Sequence, residues 1–222
     1  MSASSTPSNR AHPRWQRRKE ARPAEILDAA LQEFATRGFA ATRLEDIARR
    51  AGCTKGTIFL YFENKEDLFK AIVRENLLPA IYEAEARAAN HEGTPGELLR
   101  ELVRARWDMM VNSRLSAVPK LVFSEAGNFP DLVRYFYDEI VARSHALFAK
   151  VLRAGIEQGE FRDDLDVMYV TRALMSPMLV AALWKHSVEG HSSLAIDGEK
   201  YYETSLALLL AGLAAPAAGG NR

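Results

Sequence analysis

Between residues 24 and 213 the apolar positions recur at three- and four-residue spacing. Ile26, Leu27, Ala30, Leu31 and Phe34 form the first clear set, the pattern of one buried helical face. Alternating runs rich in Val, Ile or Thr are missing, as is any Asn-Gly pair, so no strand or hairpin is predicted. Gly38 closes the first helix, where a left-handed residue is easiest for glycine. Thr42-Arg43-Leu44-Glu45 reads as a capping box that opens a second helix to about Ala51, and Gly52 ends it. Thr54 can cap a short third helix from Lys55 to about Tyr61. Asn64-Lys65-Glu66-Asp67 opens a longer fourth, with Leu68, Phe69, Ile72 and Val73 inside. Pro79 is expected to kink that helix or end its first part. Further helices are predicted over about 95–112, 120–126, 130–158, 166–187 and 198–213, with Pro177 a second kink point. Nine helices and no strands make the predicted fold class all-α.

Composition fits a globular chain with a real core, at 48% hydrophobic and 26% charged residues. The formal net charge is zero, which alone argues against a nucleic-acid binder. Splitting the chain reverses that: residues 1–74 carry 14 Lys+Arg and 9 Asp+Glu, a net of +5, and the remainder is −5. A basic front on an acidic body is expected where one end meets phosphate. Residues 1–22, rich in Ser, Pro, Ala and Arg, lack a hydrophobic period and are expected to be disordered. They have no apolar h-region and so are not a secretory signal. The apolar run 206–215 is too short to cross a bilayer and stops at Pro216. No membrane partner is expected, and the predicted compartment is cytoplasmic.

Residues 44–61 have what a helix-turn-helix needs. Ala48 is small where two helices cross, Gly52 gives the turn its tolerant backbone, and Leu44, Ile47 and Ile58 hold the pair on the first helix. Thr54, Lys55 and Thr57 are left exposed on the third helix, whose tip can enter a major groove. Together with Phe34, Gly38-Phe39, Tyr61-Phe62 and Leu68, the segment TRLEDIARRAGCTKGTIFLYFENKEDLFKA (42–71) resembles the N-terminal domain of the TetR family of transcriptional repressors. The likeness covers roughly residues 24–74.

The resemblance implies two domains: a three-helix DNA-binding domain (23–70) and a helical ligand-binding and dimerisation domain (71–215), flanked by the basic arm (1–22) and a flexible tail (216–222). It implies that Thr42 and Arg43 lie beside a phosphate. Thr54, Lys55 and Thr57 contact phosphate or base edges, with Phe59 and Leu60 further along the exposed side. Tyr61 reaches a phosphate, and Lys65 meets another. Leu60 departs from the family, which often has a polar residue such as His there. Cys53 departs too, standing where an aliphatic residue is usual. The implied partners are a near-palindromic duplex operator, a small-molecule effector and a second copy of the chain. Repression is itself a family expectation.

Other residues leave alternatives open. The arm's Arg10, Arg14, Arg17, Arg18, Lys19 and Arg22 either add phosphate or minor-groove contacts or form a solvated tail. Cys53 is a small apolar packing residue or a redox switch. Arg106, Arg172 and His145 each sit within an apolar helical frame, and a buried charge needs a partner. They either form internal ion pairs or polar helix contacts, or line a pocket for an acidic or polar small molecule. Trp107, Met110, Phe123 and Tyr137 are then the apolar walls. Leu174, Met178, Leu179 and Ala182, with Leu206, Leu209, Leu210 and Leu213, finish the monomer core or form a dimer seam. The five histidines show no ligand spacing, so neither metal nor cofactor is expected. Phosphate loops, nucleophile elbows and HExxH are missing as well, so the chain is not predicted to be an enzyme.

Overall fold

The computed structural model describes residues 14–189 and 195–216, with side chains from Arg22 onward. Nine helices run through the described residues. α1 spans Arg14–Arg37, α2 Leu44–Arg50 and α3 Lys55–Phe59. α4 joins Lys65–Ile72, a wide π turn at Val73–Leu77, and Leu78–Ala89. α5 is Pro95–Trp107 with a π turn at Asp108–Asn112. α6 opens as a 3₁₀ turn at Arg114–Ala117 and continues as Val118–Glu125. α7 joins Pro130–Phe136, a π turn at Tyr137–Ala142, and Arg143–Glu157. α8 is Val167–Ser187 and α9 Gly198–Leu213.

Two expectations need correction. α1 begins at Arg14, inside the segment expected to be disordered; residues 14–21 are mostly good helix formers, and Pro23 is carried within the helix. The Thr42 capping box does not form. Thr42 is buried, and its hydroxyl donates to Gly38 O at 2.7 Å and Glu33 O at 3.2 Å, leaving Arg43 as an N-cap with no side-chain cap. Pro79 marks the interruption expected of it: the regular helix stops at Ile72, widens at Val73–Leu77 just before the proline that lacks an N–H, and resumes at Leu78 with Pro79 in its first turn. The arm's Arg10 and the tail beyond 216 lie outside the described residues.

Two apolar cores hold the chain. The first gathers Ile26, Phe34, Phe39, Ile47, Ile58, Leu68 and Phe69 and continues without a break into Leu77, Ile81, Val118, Leu121 and Ile140. The 70/71 boundary therefore falls inside α4 and inside one packed core, not in a linker. The second core gathers Leu99, Trp107, Phe148, Leu152, Leu174, Met178 and Tyr202 from α5, α7, α8 and α9. α8 has the length and apolarity of a membrane span, with mean hydropathy 1.4, which the sequence reading passed over. Leu174, Met178, Ala181 and Ala182 on it are buried in the fold.

Two glycines are required by their surroundings. Gly38 takes φ 82° in the α1–α2 turn, where its N–H donates to Phe34 O at 2.9 Å. Gly155 lies under the Phe161 ring, where an added Cβ would sit 2.2 Å from a ring carbon. Phe161 in turn bridges to Ala214, and Arg162 N donates to Leu213 O at 3.0 Å, so the end of α9 is stitched to the end of α7.

Candidate DNA interface and interior cavity

α2 and α3 are short and hold their angle through side chains at the turn. Ala48 and Ile58 are buried, Gly52 takes φ 61°, and Cys53 N donates to Ala48 O at 2.9 Å. Burial pushes the Cys53 thiol above its ordinary pKa. That disfavours the reactive thiolate and fits a packing role. Thr54 caps α3: its Oγ1 accepts from Thr57 N at 3.2 Å and lies 2.9 Å from Thr57 Oγ1. α2 is fastened to α1 by buried Glu33, which takes Arg50 at 2.6 Å and Arg37 at 3.0 Å.

The outer face of this unit presents Arg43, Thr54, Lys55, Phe59 and Leu60, with Thr57 and Tyr61 half-buried beside them. Leu60 is 78% exposed and Phe59 50%, so two large apolar groups stand in water where an isolated fold gains nothing from them. Lys55 Nζ donates to Glu45 Oε1 at 2.7 Å, and that bond holds the Glu45 carboxyl below its usual range. Gly56 was missed by the sequence reading. A Cβ there meets only Thr54 Oγ1 at an ordinary 3.7 Å, so the fold does not demand glycine, and the bare backbone leaves room for a close neighbour.

Two residues assigned to phosphate contact are committed inside the protein. The Thr42 hydroxyl is spent on Gly38 and Glu33, as above. Lys65 donates to Phe39 O at 2.5 Å, Ala40 O at 3.0 Å and Thr42 O at 3.1 Å, using all three ammonium hydrogens. Its Nζ also lies 4.6 Å above the Phe39 ring, and burial lowers its pKa. Of the arm, Arg22 pairs with Glu25 at 3.2 Å and reaches Ala51 O at 3.4 Å.

A second site lies in the helical body. A cavity of about 270 Å³, open on one side, is lined by α5, α6, α7 and α8, with Arg106, Met110, Phe123, His145, Arg172 and Leu179 among its lining residues. Five of the seven predicted pocket residues meet there. Trp107 does not: it is buried in the second core against Tyr201 and Tyr202. Tyr137 is 47% exposed and lies off the cavity. A smaller space of about 140 Å³ adjoins on the other side of Arg106, between α4, α5 and α7. Met110 and Val141 come from π turns. An extra residue in a turn redirects side chains that a regular helix would point elsewhere, and such turns often mark functional sites.

The comparisons with known proteins agree with this geometry. Residues 26–72 match the family model described as bacterial regulatory proteins, tetR family, and residues 91–193 match the tetracyclin repressor-like C-terminal domain. The HTH-type transcriptional repressor KstR2 of Rhodococcus jostii (strain RHA1) is 31% identical over 202 residues, covering 89% of this chain and 94% of that protein. The chain belongs to the TetR family. The fatty acid metabolism regulator protein of Bacillus subtilis (strain 168) is 28% identical over 67% of this chain and 76% of its own. Among solved structures, the transcriptional regulator FadR from Bacillus subtilis in complex with stearoyl-CoA superposes with a TM-score of 0.71. Its identity is 23%, covering 86% of this chain and 98% of that one. These structures establish the shared fold.

Within this TetR-family fold, the predicted dimer seam is partly misplaced. Leu174, Met178, Ala182 and Leu213 are buried in the chain's own core, and Leu206, Leu209 and Leu210 lean on it. Leu179 lines the cavity. The exposed apolar positions on these helices include Met168, Tyr169, Ala173 and Val180 on α8 and Ala207, Leu208 and Ala211 on α9, with Leu208 71% exposed. Both helices are apolar on more than one face, so periodicity alone cannot tell core from seam.

The sequence reading also missed how the two sites are joined. α6 lines the cavity with Pro119 and Phe123, and both its ends grip the DNA-binding unit. Arg114 at its start pairs with Asp28 of α1 and donates to Asn76 Oδ1 at 2.7 Å. Buried Glu125 at its end accepts from Ala40 N at 3.0 Å, in the turn that leads into α2.

Proposed function

We propose that this protein is a homodimeric repressor that holds a near-palindromic operator and leaves it when a small molecule fills the cavity. The observation that carries this reading is the double attachment of α6. One helix forms part of the cavity wall, grips α1 and α4 through Arg114, and through Glu125 holds the α1–α2 turn that sets where α2 and α3 lie. α4, which runs from the DNA-binding unit into the body and is interrupted before Pro79, is one lever. α6 is the other, because its cavity residues Pro119 and Phe123 and its hold on the turn, Glu125, lie on the same two helical turns. A ligand that fits only one placement of α6 shifts the population toward it, and the two recognition helices then lose the spacing of adjacent major grooves, about 34–36 Å.

Several features support the rest. The family is one of DNA-binding regulators, which favours a non-enzymatic role in the cytoplasm, where the operator lies. One short recognition helix touches few bases, and a two-fold dimer doubles the contact. The outward faces of α8 and α9 suit a second copy. The Bacillus subtilis FadR structure holds stearoyl-CoA, which favours the cavity here as a ligand site. We place the DNA contacts on Arg43, Thr54, Lys55, Thr57, Phe59, Leu60 and Tyr61.

Selection of bound duplexes from a random library tests the reading. Recovery of a near-palindrome with two half-sites one turn apart is expected; enrichment of no sequence would overturn it. Glu125→Ala tests the coupling. It leaves Ala40 N–H without its partner, a loss of about 1–3 kcal/mol if water does not reach it. Operator binding is expected to weaken by roughly tenfold or more, while melting of the cavity half is little changed. Unaltered operator affinity in a fluorescence titration would remove α6 from the pathway.

A further inference from the structure

Among the described residues, Arg106 is a cation whose surroundings make no electrostatic sense as they stand. Its Nε and Nη1 are buried and find no hydrogen-bond partner among the described residues. An internal ion pair was one reading of this residue, and no described carboxylate supplies it. Burial alone pushes the guanidinium pKa down to about 10, so it is still a cation at neutral pH. Among the described residues, no acid lines the larger cavity. Its other polar groups are Arg172, His145, Ser144 and Ser176. Both hydroxyls are already engaged: Ser144 donates to Ile140 O at 2.6 Å and Ser176 to Arg172 O at 2.8 Å. Burial, then Arg172 and Arg106, lower the His145 pKa and keep its ring neutral at pH 7. The smaller space on the far side of Arg106 has one acid, Glu83, beside Arg87.

A buried unpaired charge is destabilising, and replacing such a charge by an apolar side chain commonly stabilises a fold. The arrangement becomes favourable when an anion enters and the guanidinium gains a charge-assisted hydrogen bond in low dielectric. The remaining wall is apolar: Met110, Pro119, Phe123, Phe136, Met175 and Leu179. We infer that the effector is an amphipathic anion, an apolar body with a single carboxylate-like head seated on Arg106. The inference rests on the ligand-responsive reading above and names the chemistry that site selects.

The test uses the full-length protein and sets of probes that share a skeleton and differ in the head group. Decanoate, decanamide and decylamine form one set, and 4-cyclohexylbutanoate with its amide and amine another. Binding is followed by calorimetry and thermal melting, with operator binding measured on the same samples. The acid of at least one skeleton is expected to bind one per chain, roughly tenfold to a hundredfold tighter than its amide, and the amine least of all. Arg106→Met is expected to melt above the parent when ligand-free and to lose the preference for the acid. Arg106→Lys should keep part of that preference. The inference is overturned if no acid binds, if acid and amide bind alike, or if Arg106→Met melts below the parent. Each of those outcomes with intact operator binding removes the ligand class only. Loss of operator binding by the unaltered protein would remove the repressor reading instead.

Discussion

Phe39→Ala is expected to lower the stability of the folded chain by about 3–5 kcal/mol, the range for truncating a fully buried aromatic ring. Phe39 is fully buried at the point where the DNA-binding unit meets the helical body. Its ring lies 5.0 Å from Phe34 of α1, 6.2 Å from Phe69 of α4 and 4.8 Å from Phe129, which precedes α7. Lys65 Nζ sits over its face. Removing the ring therefore opens a cavity among three helices and uncovers a half-buried ammonium. For a chain of this size a loss of that order lowers Tm by roughly 6–20 °C. Phe39→Leu keeps most of the volume and is expected to lose much less. A circular-dichroism melt decides it: a shift below about 2 °C for the alanine variant would mean the neighbouring rings collapse into the gap. Operator affinity is expected to fall with stability here, because the ring packs between Phe34 of α1 and Phe129 and so fixes the turn that leads into α2.

Much of this architecture was legible because a helical period repeats over many residues and glycine marks its breaks. Gly38, Gly52 and Gly159 all take positive φ at the ends predicted for them. What failed was information shorter or longer than one helix. The π turns at Val73–Leu77, Asp108–Asn112 and Tyr137–Ala142 occupy five or six residues each, too few to disturb a period, yet two of them furnish cavity lining. Thr42 sits where a capping residue belongs, and nothing local says that its hydroxyl turns back to Gly38 and Glu33. Lys65, a basic residue at a helix start near DNA, invites a phosphate assignment; only the folded turn shows three carbonyls converging on it. Glu125 is a lone acid on an amphipathic helix, and its partner lies 85 residues away. In the cavity, Arg106, His145 and Arg172 were found because titratable residues inside apolar frames are anomalous in sequence, and Met110 and Phe123 followed as their apolar neighbours. Trp107 is displaced from that set because its indole packs toward Tyr202 on α9, a contact between distant helices.

The DNA face gives the other large expected effect. Operator affinity is expected to fall on the order of 10²-fold between 50 and 200 mM salt, as for a reader that neutralises about four phosphates with cations. Arg43 and Lys55 supply two per protomer and the proposed dimer doubles them, while the neutral Tyr61 adds a hydrogen bond that releases no counterion. Lys55→Ala removes one contact from each protomer. The slope of log affinity against log salt should then become shallower by about 2, at roughly 0.9 per contact. In free protein Lys55 is paired with Glu45 across a half-exposed surface. Glu45 therefore competes with the phosphate for the same ammonium and adds a like charge to the DNA. Glu45→Gln is expected to tighten operator binding, by about two- to fivefold given how weakly such surface pairs hold. Lys65→Ala separates the two classes of basic residue. Its ammonium is saturated by Phe39, Ala40 and Thr42 carbonyls, so its loss should lower Tm and leave the salt slope unchanged. A slope reduced as much by Lys65→Ala as by Lys55→Ala would put Lys65 on the phosphate. The α1–α2 turn would then have to release it when DNA binds.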